Sequence, residues 1–198
     1  MRRTRSRIKA FTLIELMIVV ALIAIIVTLA APSFRDMILM QRLRGINAQL
    51  VTDLAFARSE AVSRGTFMQM RFQSNSAMSC YIIYARTDAN STSMCDCTAA
   101  AGLRCTDPAL TTEVKTVQAP VSEAVKFVPA ANQVAFFTVL QRNGSIQVDP
   151  MPEMRPPNSF QVFTRIDSAR EFRNDVKLSG HASACAPAGS TVGGPPCV

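Results

Sequence analysis

The pattern of apolar and polar positions divides this 198-residue chain into three parts. Residues 11–31 are apolar apart from small polar side chains and one carboxylate, Glu15, and as a helix they would be about 31 Å long, enough to cross a bilayer. Residues 32–65 continue the helical pattern as an amphipathic stripe formed by Leu43, Ile46, Leu50, Leu54, Ala57 and Ala61. From Thr66 the pattern changes to short alternating segments, which predicts a β-rich head over residues 66–198.

Several positions refine the predicted helix. Pro32 is predicted to kink it, because proline removes one hydrogen bond of the helical ladder. Glu60 and Arg64 stand one turn apart in ARSEAVSRG, and Gly65 suits the left-handed conformation that ends many helices. The charged residues that fall off the apolar stripe, and are therefore expected on the polar side, are Arg42, Arg44, Asp53, Arg58 and Glu60.

The head contains six segments rich in β-branched and aromatic residues, which predict strands: TFMQMRFQ, CYIIYAR, QVAFFTVL, SIQVD, SFQVFTR and EFRNDVKLS. An Asn-Gly pair in QRNGSIQV predicts a hairpin turn between two of them. Residues 87–112 have the composition of turns and predict a surface insertion, and residues 179–198 form a tail rich in Gly, Ala, Ser and Pro. The predicted fold class is α+β, with the long N-terminal helix packed on an antiparallel sheet.

Positive charge is concentrated at the N-terminus. Five of the seven net positive charges come before Phe11, on Arg2, Arg3, Arg5, Arg7 and Lys9. The rest of the chain therefore carries a net charge of only +2. Positive residues flank the cytoplasmic side of membrane segments, so the C-terminal part is expected outside the cytoplasm. The overall charge is therefore weak support for nucleic-acid binding.

The six cysteines, an even number in a chain expected to be exported, predict disulfides; they are Cys80, Cys95, Cys97, Cys105, Cys185 and Cys197. The alternative is a reduced protein or a zinc site on CDCTAAAGLRC, which lacks the paired CxxC spacing. Sequence alone leaves the pairing open. We favour Cys185 with Cys197, which enclose the tail, and we disfavour Cys95 with Cys97 because one intervening residue strains the bridge.

Glu15 separates three interpretations of the N-terminal segment, because an ionised side chain in hydrocarbon costs roughly 2.5–3.5 kcal/mol. A secretory signal cleaved at TLAAP would have a shorter apolar region and no carboxylate. A permanent anchor fits the length but gives Glu15 no role. Cleavage between Ala10 and Phe11 would place a new amine one helical turn from Glu15, so that the amine of the same or a neighbouring chain compensates the carboxylate.

The stretch KAFTLIELMIVVALIAIIVTLAAPSF closely resembles the class III signal of type IV pilins and type II secretion pseudopilins. In that family a prepilin peptidase removes a basic leader, here residues 1–10, and methylates the new amine, here that of Phe11. The residue before the cut is usually Gly, whereas this chain has Ala10. ARSEAVSRG resembles the helix end of H-type pseudopilins and FimT/FimU-like minor pilins. The resemblance is strong over residues 7–65 and weak beyond, and it implies the pilin fold.

The resemblance also implies a location and a function. It indicates a minor pilin held in the inner membrane, with its N-terminus cytoplasmic and its head periplasmic, that is then added near the tip of a type IV pilus. The implied partners are other major and minor pilins, the prepilin peptidase and the inner-membrane assembly platform. An H-type pseudopilin of a type II secretion system is an alternative, and an exported soluble protein with a conventional signal is the least favoured.

A DNA receptor for transformation is a further alternative. Some FimT-like members take up DNA through a Gly-Arg-x-Arg motif, and the corresponding stretch here, LSGHASA, has His181 in place of the first arginine and no charge after it. The candidate DNA contacts are instead Arg165, Arg170 and Arg173, with which the acidic residues Asp167, Glu171 and Asp175 interleave. Direct DNA binding is therefore the less favoured function.

No catalytic constellation is recognisable in the sequence. His181 is the only histidine and lies in the tail, and the chain has no G-x-S-x-G, P-loop or H-E-x-x-H motif. Oxidised cysteines would offer no nucleophilic thiolate. We expect a protein that is not an enzyme and that has no cofactor and no metal site.

Overall fold

The structure is a computed structural model, and it describes residues 12–88, 93–131, 133–148 and 158–197, without the side chains of residues 29–32. Within these ranges one α-helix, α1 (Leu13–Arg64), precedes nine strands and a short 3-10 helix, Val121–Glu123. The strands are β1 (Phe67–Ser74), β2 (Met78–Arg86), β3 (Thr111–Pro120), β4 (Lys126–Pro129), β5 (Phe136–Val139), β6 (Ile146–Gln147), β7 (Ser159–Arg165), β8 (Glu171–Lys177) and β9 (Ala182–Cys185). The chain divides into two compact units, Met1–Ile38 and Leu39–Val198.

The N-terminal unit contains the first part of α1. Judged by length and composition, no single helix in the described ranges qualifies as a membrane span, but Leu13–Thr28 and Ser33–Arg64 qualify together as a bent pair. The leader and the cleavage site, residues 1–11, lie outside the described residues, as do the side chain of Pro32 and the kink predicted there.

In the C-terminal unit the predicted apolar stripe is confirmed as the core face of α1. Leu43, Leu50, Leu54, Ala57 and Ala61 are buried, and Ile46 packs against them with part of its surface exposed. The helix ends as predicted, because Gly65 adopts a left-handed conformation with φ of 60°. The Thr66 N–H donates to the Ala61 carbonyl at 3.2 Å, and Glu60 forms an ion pair with Arg64 one turn later.

The strands form two antiparallel sheets. Sheet 1 has the order β3-β2-β1-β5-β6 and sheet 2 has the order β4-β7-β8-β9. Aromatic rings join the two sheets beneath α1: Phe160 of sheet 2 lies 5.6 Å from Phe72 and 4.9 Å from Phe137 of sheet 1, centroid to centroid. The fold is therefore α+β, as predicted, with one core shared by the helix and both sheets.

The outer face of sheet 1 is covered by the cysteine-rich insertion. Along β2, Tyr81 and Ile83 point to the core under α1, whereas Cys80, Ile82 and Tyr84 pack against Cys95 and Cys97 of the insertion. Arg71 donates to the Cys95 carbonyl at 3.3 Å, and Gln118 donates to the Cys97 carbonyl at 2.7 Å. Because both of its faces are covered, β2 is almost continuously buried instead of alternating.

Each predicted strand corresponds to a strand, and the Asn143–Gly144 turn joins β5 to β6 as predicted. The interpretation of three segments was wrong. The insertion predicted over residues 87–112 ends at Leu110, because Thr111 and Thr112 pair with β2 at the start of β3. The tail predicted over residues 179–198 contains β9, and neither β3 nor β4 was predicted as a strand. All three strands lie at sheet edges. The Ala and Ser residues of β9 have weak strand propensity, whereas β3 and β4 contain Thr, Val or Phe and were overlooked.

Candidate functional site

The start of α1 is apolar on every side. The large apolar side chains from Leu13 to Val27 are each between 44% and 77% exposed. Glu15 is the one charged residue between Thr12 and Thr28. A helix that is apolar all round is stable when it is surrounded by lipid or by other apolar helices. This segment is thus suited to a membrane and to a helix bundle.

Glu15 lies in the first turn of α1. Its backbone N–H donates to the Thr12 hydroxyl oxygen at 3.3 Å, as in a Thr-x-x-Glu helix start. A negative charge in the first turn also interacts favourably with the helix dipole. Ala10 and Phe11 lie outside the described residues, so the pairing of Glu15 with a Phe11 amine stays a prediction.

Asp53 fixes α1 on sheet 1, which corrects the expectation that it would lie on the polar side of the helix. It is 2% exposed, and its carboxylate accepts a hydrogen bond from the Tyr81 hydroxyl at 2.7 Å and one from Lys115 Nζ at 2.6 Å. Burial raises the pKa of Tyr81 far above its usual value, and the hydrogen bond to Asp53 raises it further. Tyr81 therefore stays a neutral donor, while Lys115 balances the charge of Asp53.

A second buried contact joins α1 to sheet 2. Asn174 on β8 is fully buried, and its Nδ2 donates to Asn47 Oδ1 at 2.9 Å and to Thr164 Oγ1 at 3.2 Å. Together with Asp53, this contact fixes the rotation of α1 over the two sheets, since a turned helix would leave buried polar groups unpaired.

All six cysteines form disulfides: Cys80–Cys97, Cys95–Cys105 and Cys185–Cys197. The structure thus has the Cys185–Cys197 pair that the sequence favoured and does not join Cys95 to Cys97. The first two bridges attach the insertion to β2 and close it on itself, and the third ties the C-terminal tail to the end of β9. No thiolate is left on CDCTAAAGLRC to bind zinc.

The three candidate DNA-binding arginines all lie beside acidic residues. Arg170 forms two hydrogen bonds to Asp167 Oδ2, from Nε at 2.9 Å and from Nη2 at 2.6 Å, and these hold the pKa of Asp167 below its usual value. Arg173 Nε lies 3.0 Å from Asp175 Oδ2, and Arg165 Nη1 lies 4.0 Å from Glu171 Oε2. The structure brings these arginines to one hairpin, but with their charges largely compensated.

The LSGHASA stretch forms the turn between β8 and β9, residues 178–181, and the first three residues of β9. Gly180 has φ of 79°, and a Cβ at this position would overlap the carbonyl oxygen of Gly144 in the β5–β6 turn. This glycine is required so that the turns of the two sheets can touch. The His181 side chain next to it is exposed.

Two family models match the chain. A prokaryotic N-terminal methylation motif matches residues 5–31, which include Ala10, Phe11 and Glu15. The model described as type II transport protein GspH matches residues 47–180, more than half of the chain. The chain belongs to the GspH family. No curated protein and no solved structure matches it.

Membership of this family indicates the roles of the apolar N-terminal helix and of the head. Members of the two matched families are structural pilin and pseudopilin components, not enzymes. They are anchored in the inner membrane by the N-terminal helix and carry a periplasmic head, and they assemble with other pilins after processing by the prepilin peptidase. This GspH-family chain accordingly has a pseudopilin or minor-pilin role.

Proposed function

We propose that this chain is a minor pilin that is cleaved between Ala10 and Phe11, methylated on Phe11, and incorporated at or near the tip of a type IV pilus. The observation that carries the proposal is the fully apolar surface of Leu13–Val27, interrupted by Glu15 alone. Leaving such a surface in water costs about 25 cal/mol per Å². A bundle of these helices buries the surface, and pairing Glu15 with a Phe11 amine sets the register between neighbours.

The head suits display on a filament because several cross-connections hold it together. Asp53 and Asn174 lock α1 onto the two sheets, and the bridges Cys80–Cys97 and Cys95–Cys105 hold the insertion on the outer face of sheet 1. Disulfides of this kind stabilise domains outside the reducing cytoplasm. In this proposal the head faces the periplasm during insertion, and the partners are other major and minor pilins and the inner-membrane assembly platform.

An H-type pseudopilin of a type II secretion system is the second candidate, and the description of the matched family favours it. A deletion of the gene for this chain in its own organism separates the two functions. Both surface piliation and protein secretion are measured in the deletion strain. If the chain is a minor pilin, its deletion causes a loss of pili while secretion is unchanged, and the chain is recovered in filaments sheared from the wild-type strain. A loss of secretion with normal piliation would replace our proposal by the secretion function.

A further inference from the structure

The two disulfides of the insertion are interleaved along the chain. Cys80 bonds to Cys97 at a sequence separation of 17, and Cys95 bonds to Cys105 at a separation of 10. Cys95 therefore lies inside the loop that the first bridge closes, whereas its partner Cys105 lies outside that loop. Neither bridge joins two cysteines that follow one another in the sequence.

The unfolded chain does not select these pairs. Four cysteines can pair in three ways. The pairing that contains Cys95–Cys97 is disfavoured because a single intervening residue strains the bridge. The remaining alternative joins consecutive cysteines, in the bridges Cys80–Cys95 and Cys97–Cys105. Each of its loops is two residues shorter than the corresponding observed loop, so closure entropy favours this alternative, by less than about twofold.

The folded sheet 1 selects the observed pairs through its contacts with Cys97. The Cys97 N–H donates to Gln73 Oε1 on β1 at 3.0 Å, and the Cys97 carbonyl accepts from Gln118 Nε2 on β3 at 2.7 Å. These hydrogen bonds hold Cys97 over Cys80 on β2, the strand between β1 and β3. A bridge from Cys80 to Cys95 would shift the insertion by two residues, up to about 7 Å of extended chain, and would break both hydrogen bonds.

The residues that make this selection reach the periplasm after the cysteines. The head follows its N-terminal anchor, so it emerges and begins to fold in the order of its sequence. The strand that carries Gln118 begins at Thr111, beyond Cys105, and the core residue Phe160 follows later still. A thiol oxidant of the periplasm, which takes two electrons and two protons from each pair of thiols, therefore meets the cysteines before sheet 1 forms. Oxidation in the order of emergence gives the consecutive pairs.

We propose that this chain is a substrate of a disulfide isomerase, a periplasmic protein with a reduced catalytic thiol. Its thiolate attacks Cys95 Sγ, which breaks the Cys80–Cys95 bridge, forms a mixed disulfide and releases the Cys80 thiolate. The Cys80 thiolate attacks Cys97 Sγ, forms the observed bridge and releases the Cys105 thiolate. The Cys105 thiolate attacks Cys95 Sγ, forms the second observed bridge and releases the isomerase thiolate. The three exchanges return the isomerase to its reduced state and involve no net oxidation.

Burial restricts this exchange to the time before the head is folded. Cys80, Cys95 and Cys97 are fully buried, so an external thiolate has no access to their sulfurs in the folded head. The isomerase thus acts before the insertion closes on sheet 1, and packing then keeps the observed pairs. The inference goes beyond the proposed function and holds equally for a pseudopilin, because both functions export the same head.

The test compares the full-length chain from wild-type cells of its own organism with the chain from cells that lack the periplasmic disulfide isomerase. The extracted chains are alkylated and digested without reduction, and the linked peptides are identified by mass spectrometry. Asp-N protease cuts before Asp96 and separates Cys95 from Cys97. Trypsin cuts after Arg104 and separates Cys97 from Cys105. Every pairing of the insertion therefore gives its own linked peptides.

Without the isomerase, we expect the fraction of chains with the Cys80–Cys97 bridge to fall at least about fivefold, with Cys80–Cys95 in its place. Incubation of the extracted chain with purified, reduced isomerase before alkylation should restore the observed bridge. Cys185–Cys197 joins consecutive cysteines and is the internal control, which should form equally in both strains.

Two double variants are matched controls: Cys80→Ala with Cys97→Ala, and Cys95→Ala with Cys105→Ala. Each leaves only pairs of consecutive cysteines, so its bridges should form equally with and without the isomerase, and whichever variant accumulates serves as the control. Wild-type pairs unaffected by loss of the isomerase, absence of the observed pairs from both strains, or an equal dependence of the controls on the isomerase would overturn the inference. The proposed function would still stand, because piliation and secretion decide it.

Discussion

The Tyr81 hydroxyl on β2 donates a 2.7 Å hydrogen bond to the buried carboxylate of Asp53 on α1. Lys115 on β3 reaches the other oxygen of the same carboxylate at 2.6 Å. The amphipathic half of the helix is therefore attached to two neighbouring strands through one charged group. This attachment, together with the apolar stripe, makes the part of α1 that follows Ile38 an integral part of the head.

The first prediction concerns alkaline pH. Burial raises the pKa of Tyr81 and of Tyr84, the two tyrosines of the chain, above their unfolded value of about 10. The neutral form is thus favoured by folding, so its stabilising contribution is complete below about pH 10 and is lost as the pH rises further. We expect tyrosinate absorbance to appear only as the head unfolds. In Tyr81→Phe, the stability of the fold should fall less steeply as the pH rises above about 10. Tyrosinate formation near pH 10 in a head that is still folded would contradict the structure.

The second prediction concerns the contact between the turns of the two sheets. Gly180→Ala should destabilise the head by roughly 2–4 kcal/mol. The new Cβ would clash with the Gly144 carbonyl oxygen, and alanine would also be strained at this positive φ. Gly189→Ala is the matched control, since its φ of 84° carries similar strain but the space around it is open. It should cost about 1–2 kcal/mol. Chemical denaturation of both variants measures the difference, and equal losses would show that the two turns do not touch.

Local patterns predicted the features that depend on residues close in sequence. The stripe from Leu43 to Ala61 showed the buried face of α1, and Gly65 showed its end, because helix periodicity and capping are local properties. The Asn143–Gly144 turn was recognised for the same reason.

The features that depend on long-range contacts were not predictable. Asp53 borders the stripe, and only the positions of Tyr81 and Lys115 in the folded sheet make it a buried anchor. In the same way, nothing in the sequence shows that the insertion covers the outer face of sheet 1 or that Gly180 meets Gly144. A strand such as β9 forms because β8 supplies its hydrogen-bond partners, although its Ala and Ser residues have low strand propensity.

The third prediction concerns Glu15. Glu15→Gln keeps the size of the side chain and removes its charge, so membrane insertion and cleavage should be normal while incorporation into filaments falls by at least about tenfold. Thr28→Val, which removes a polar group farther along the same helix, should be incorporated normally. Immunoblots of membranes and of sheared filaments measure both steps. Normal abundance of Glu15→Gln in the filaments would refute the charge-pairing argument.

The fourth prediction concerns nucleic acid. Because Arg165, Arg170 and Arg173 lie beside acidic partners, we expect at most weak binding of duplex DNA by the mature protein at about 150 mM salt. Fluorescence anisotropy over a salt series measures it. Submicromolar affinity that is lost when the three arginines are changed to alanine would instead identify a DNA receptor carried on a pilus.

The most direct test of the account is the identity of the mature N-terminus. Intact-mass measurement and N-terminal sequencing of membrane-extracted protein should show a chain that begins at Phe11, with one methyl group on its amine. That result would follow from the methylation motif matched over residues 5–31 and would place Glu15 one turn from the new charge. A mature chain that begins at Ala31 or Pro32 would mean a conventional secretory signal, and it would contradict the pilin function outright.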